Sequence, residues 1–166
     1  MSESSAAFGL RPVVVGWLLT VGVDLFFNAG LFSGLFNQSR EPGLLPDQVL
    51  FRRIPVAYVA LAVAVTALAW LFDRIDVRGA FVGAALGGLT GFVVAFMGVI
   101  NLWTAVEMTG IFVASAALVQ VIELSAVGAF LGSYRGSAEP KRLVQIALAT
   151  SLFLAIMGII IQNLLK

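Results

Sequence analysis

Hydrophobic and polar positions in this chain separate into five long apolar runs divided by its only dense clusters of charge. The runs cover approximately 13–36, 54–72, 79–100, 108–131 and 143–165. Each is long enough to cross a membrane, since about 20 helical residues span a hydrocarbon core of roughly 30 Å. A membrane β-barrel needs shorter segments of alternating polarity, and none is present. Proline marks two helix starts: Pro55 follows Arg52 and Arg53 at a first-turn position, and Pro140 precedes Lys141 and Arg142. The pattern predicts an all-α, polytopic membrane helical bundle of about five transmembrane helices, one integral membrane domain over residues 1–166. The first run exceeds the 7–15 apolar residues of a signal peptide and lacks a small-x-small cleavage site, so it reads as a retained helix. The long connection 37–53, with Pro42, Gly43 and Pro46, reads as an ordered cap or short interfacial segment.

Composition agrees with lipid as the main solvent. Of 166 residues, 60% are apolar and 11% charged, against roughly 45–50% and about 25% in soluble domains. A net charge of +1 gives no basic surface for nucleic acid. The chain has neither cysteine nor histidine. That removes disulfides, thiolate nucleophiles, His-bound haem or zinc, and Ser-His-Asp triads. No metal site, cofactor or enzymatic activity is expected. Basic residues divide six to four between the two sides, with Arg11, Arg74, Arg78, Arg135, Lys141 and Arg142 against Arg40, Arg52, Arg53 and Lys166. This bias expects a multi-pass protein of the cell membrane with its N-terminus cytoplasmic and its C-terminus outside.

Gly79, Gly83, Gly87 and Gly91 recur four apart on the third run, and Ala95 extends the row. On a helix they form a flat ridge, which in lipid lets backbones approach closely. The ridge predicts a central third helix, the most buried of the five, in contact with at least two neighbours. A homo-oligomer or another membrane protein docking on the ridge is the second expectation.

Polar residues at membrane depth carry the candidate chemistry. Thr20, Asp24 and Asn28, with Gly16, form one stripe on the first helix; Gln120 and Glu123 share a face of the fourth. A charge at the bilayer centre costs at least about 2.5–3.5 kcal/mol on insertion scales, so both acids should face the interior. Their depths are similar, and no Lys or Arg lies mid-span to neutralise them. Brought together, they would titrate as a pair or hold a cation between them. Asp73 and Asp76, beside Arg74 and Arg78, read instead as a self-neutralised turn. A faint echo relates Val23-Asp24-Leu25 with Gly30 and Gly34 to Ile122-Glu123-Leu124 with Gly128 and Gly132, as in inverted-repeat transporters.

Three functions fit this reading. The first is a proton- or cation-coupled transporter or channel-like protein with its polar site at Asp24 and Glu123. The second is a structural or assembly subunit of a membrane complex, in which the same polar groups are interhelical hydrogen bonds. The third is a lipid- or pigment-binding module.

Overall fold

A computed structural model describes residues 9–35, 47–105 and 107–165. Among these the fold is all-α: α1 (Leu10–Asp24), continued by a π-helical segment (Leu25–Leu31), α2 (Asp47–Arg74), α3 (Ala80–Ala105), α4 (Gly110–Gly136) and α5 (Pro140–Leu164). Five helical spans are long and apolar enough to cross a membrane, so the architecture is that of a multi-pass membrane protein. The outer surface is apolar, with Val56, Phe81, Leu89, Met97, Leu152 and Phe153 all more than half exposed. Lipid solvates such side chains as readily as a protein core would.

Local chemistry sets several boundaries. The Thr109 side chain accepts a hydrogen bond from the Phe112 amide and caps α4. Pro140 opens α5, where its missing N–H is not needed. Gly79 has φ of +91°, a conformation that side-chain-bearing residues rarely adopt, and its N–H donates to the Gly132 carbonyl at 2.8 Å. This turn therefore ties the α2–α3 connection to the end of α4.

Two boundaries differ from the sequence reading. α2 begins at Asp47 rather than near residue 54, so Pro55 lies inside the helix and 47–53 are helical rather than a cap. Residues 37–46 of that connection lie outside the described residues. The first span also does not continue as a straight helix to residue 36. Its α-helical part ends at Asp24, the wider π-helical turns end at Leu31, and a turn follows through Leu35.

Two seams of small residues organise the packing. In the first, Gly83, Gly87 and Gly91 of α3 lie against α4, where a Cβ at Gly91 would come within 2.8 Å of the Gln120 carbonyl oxygen. Cβ atoms at Gly83 or Gly87 would collide with the carbonyls of Gly128 and Leu124. In the second, Gly22 of α1 meets Ser151 of α5, and Gly30 meets Gly158. The Ser151 hydroxyl donates to the Leu18 carbonyl across this seam.

These seams correct the expectation for the third helix. α3 is peripheral: it packs on α4, barely touches α2, and turns its remaining faces outward. α1 is the most buried span, touching α2, α4 and α5. A glycine ridge supplies one very close contact rather than a central position, because the other faces of α3 carry Phe81, Leu89, Phe92 and Met97. The ridge is a seam within the chain, already covered by α4. Gly79 is not part of it as a helical residue; it is the turn before α3. Nor do the contacts follow the internal echo, since α1 packs on α5 whereas α4 packs on α3.

The apolar core gathers at one end of the bundle, where α1 and α5 begin and α2 and α4 finish. There Val15, Leu19, Val65, Leu68, Phe72, Val127 and Leu131 interlock, most of them fully buried. Arg135, at the end of α4, closes this end. Its guanidinium donates to the Phe72 carbonyl at 3.1 Å and pairs with both Asp73 and Asp76. Arg78 also pairs with Asp76, while Arg74 lies over the Trp70 ring. The turn is thus neutralised chiefly by a residue from a different helix. Beyond the core, α2 stands away from α3 and α4, and the gap is a cavity.

Candidate functional site

The cavity has a volume of about 360 Å³. Asp24 and Asn28 line it from α1 and the π-helical segment, and Gln120 and Glu123 line it from α4. Ala57, Ala60, Leu61 and Ala64 form the α2 wall, and Val94 stands on α3. Ala57, Ala60 and Val94 are exposed, so the cavity opens between α2 and α3.

Helical rise explains why the acids meet. From Leu10 to Asp24 is roughly 21 Å of helix, and from Gly136 back to Glu123 roughly 20 Å, at about 1.5 Å per residue. Both distances start from the same end of the bundle. The two carboxyls line one cavity, and the Tyr58 hydroxyl is hydrogen-bonded to Asp24. No Lys or Arg lines the cavity among the described residues.

The two acids are held differently. Asp24 is anchored: Asn28 Nδ2 donates to its Oδ1 at 2.6 Å, and the Tyr58 hydroxyl donates to its Oδ2 at 3.1 Å. Tyr58 is itself positioned from α1, because Trp17 Nε1 donates to its backbone carbonyl at 2.9 Å. Glu123 is only 2% exposed, yet it has no hydrogen-bond partner among the described residues. Asn28 Oδ1, the other end of the amide that holds Asp24, is also enclosed without a partner. Such an enclosed atom is rarely left unpaired and costs free energy until a donor reaches it, whereas the Glu123 carboxyl faces the cavity.

Of the five residues singled out in the sequence, four share this cavity. Thr20 does not. It is fully buried and its hydroxyl donates to the Trp17 carbonyl of its own helix at 2.6 Å. Gly16, at the head of the stripe, packs on Val65 and Val127 in the core. The stripe therefore divides, its first half structural and its second half facing the cavity. Tyr58 was missed by sequence reasoning. A phenol amid Val and Ala on the second run was the available signal, but nothing in the sequence joined it to Asp24.

A larger concavity of about 760 Å³ lies on the outer face between Trp17 and Trp70. Its walls are apolar apart from Thr66, whose hydroxyl is bonded to the Ala62 carbonyl, and it contains no titratable group. No family model, curated protein or solved structure matches this chain.

Proposed function

We propose that this protein moves protons or small cations across the membrane, with Asp24 and Glu123 as the exchanging groups. The observation that carries the reading is Glu123: a buried carboxyl with no hydrogen-bond partner, beside a second carboxyl in a cavity with no Lys or Arg on its walls among the described residues. Ionisable groups inside membrane spans are costly and usually mark an ion or substrate path. Interhelical hydrogen bonding accounts for Asp24, whose oxygens tie α1 to α2 through Tyr58. It does not account for Glu123, which ties α4 to nothing, so an apolar residue would serve a purely structural role better. The lipid-binding alternative would draw on the apolar concavity beside Trp17, but leaves both acids unused.

The test is flux in liposomes loaded with a pH-sensitive dye, under an imposed proton or potassium gradient. Wild-type protein is expected to carry a protein-dependent flux that Asp24→Asn reduces at least tenfold, while the variant keeps its helical content and melting temperature within a few degrees. If wild-type vesicles are as tight as empty ones, the transport reading is wrong and the assembly-subunit reading takes its place.

A further inference from the structure

We infer that the cavity binds a protonated organic amine with an apolar body, rather than a bare metal cation. The inference rests on the acidic cavity being the cation site proposed above, and it names the class of cation.

The Gln120 amide, which offers donors as well as an acceptor, lines the cavity too, but the open positions at Glu123 and on the enclosed Asn28 Oδ1 are those of acceptors. Asp24 already accepts from Asn28 and Tyr58, and the Tyr58 hydroxyl has given its proton to that bond. Glu123 remains with two open oxygens, and Asn28 Oδ1 is enclosed without a donor. An alkylammonium group offers up to three N–H donors and a positive charge, which answers both vacancies at once. An anion or a neutral acceptor would answer neither.

Size and wall chemistry narrow the choice further. At about 30 Å³ per water, the cavity of about 360 Å³ corresponds to roughly a dozen waters and lies within the range of small-molecule sites. A calcium- or magnesium-like ion needs oxygen ligands around it at about 2.0–2.6 Å. Here the oxygens lie on the α1 and α4 sides, and the facing wall is the methyl groups of Ala57, Ala60 and Ala64. Among the described residues no three acidic side chains converge as metal ligands. The arrangement suits a molecule with a charged head towards Glu123 and a hydrocarbon body against α2. The opening between α2 and α3 lets such a molecule enter sideways from the membrane, where apolar amines concentrate.

Titration calorimetry on the full chain in lipid nanodiscs at neutral pH tests this, with benzylammonium as the probe. Tetramethylammonium, which has no N–H, benzyl alcohol, which has no charge, and sodium are the comparisons. Benzylammonium should bind saturably and at least tenfold more tightly than any of the three. Glu123→Gln should weaken it at least tenfold. Ala60→Phe, which fills the methyl wall and leaves every polar group in place, should abolish it even if Glu123→Gln proves hard to fold. Equal binding of benzyl alcohol, a response to sodium alone, or binding indifferent to both variants overturns the inference. Proton flux without amine separates this result from the broader reading. If Asp24→Asn abolishes flux but benzylammonium does not bind, only the amine inference fails. If benzylammonium binds and no flux exists, the inference stands and transport fails.

Discussion

Asp24 and Glu123 show how differently two buried acids can be used. Asp24 is fixed by one donor from its own helix and one from α2, and Glu123 is left open to the cavity. Hydrogen bonds between membrane helices average only about 0.6 kcal/mol and reach about 1.7, so the bond from Tyr58 to Asp24 is not decisive for folding. Tyr58→Phe should accordingly lower stability by about 0.5–1.7 kcal/mol in a detergent melt, while freeing the Asp24 carboxyl and disturbing flux well beyond that loss. A flux unchanged in Tyr58→Phe would mean that the phenol has no part in placing Asp24. Because the chain lacks cysteine, single-cysteine labelling is free of background. Ala60→Cys, on the cavity wall, should react with a small hydrophilic thiosulfonate reagent. Val63→Cys, also exposed but on the apolar outer face, should not. The reverse pattern would make the cavity dry.

At the scale of elements, the glycines sort by what stands opposite them. Gly83 and Gly87 face carbonyl groups of α4 so closely that even one methyl group must push the helices apart, with loss of dispersion and Cα–H···O contacts. Gly98, further along the same helix, faces nothing within 4 Å. Gly87→Ala should therefore cost about 1–3 kcal/mol by overpacking. Gly98→Ala should be neutral or stabilising by up to about 1 kcal/mol, the usual gain in helix propensity. Thermal melts of the two variants compare them directly, and equal effects would place the ridge against lipid. The spacing of these glycines was legible in the sequence. Their partner was not, because periodicity marks a face without naming what covers it. The second seam was harder to read: Gly22, Gly30 and Gly158 have no run-like spacing, and Gly22 meets Ser151 from the α-helical part of the first span while Gly30 meets Gly158 from its π turns.

For the whole molecule, one end is tied together by a single side chain. Arg135 binds Asp73, Asp76 and the Phe72 carbonyl, joining the ends of α2 and α4 over the apolar core. Arg135→Ala should cost about 2–3 kcal/mol, less than a fully buried pair because Asp76 is 57% exposed. Arg135→Lys should recover little, since an ammonium cannot serve three acceptors in a planar fork. A melting temperature unmoved by Arg135→Ala would show that this end is held by the core alone. If all five spans cross the bilayer, Leu10 and Leu164 lie on opposite faces, and the six-to-four basic bias expects Leu10 on the cytoplasmic one. Reporter fusions at Ser4 and after Lys166 should give opposite signals; matching signals would remove one span.

Apolar length determined the number of spans and the helical class by itself, because lipid demands that every backbone group be satisfied within its own segment. The cost of charge in hydrocarbon likewise made Asp24 and Glu123 interior residues before any neighbour was known. Sequence could not say that Thr20 belongs to the packing rather than the cavity, since one helical stripe can pass from core to cavity within a turn. Nor could it show that Tyr58 reaches Asp24, that Arg135 reaches across to Asp73, or that α3 is peripheral. Those are contacts between distant segments, decided by which helices lie side by side. In lipid that choice depends on close backbone fit at Gly83, Gly87, Gly128 and Gly158, a property of paired surfaces that no single helix carries alone.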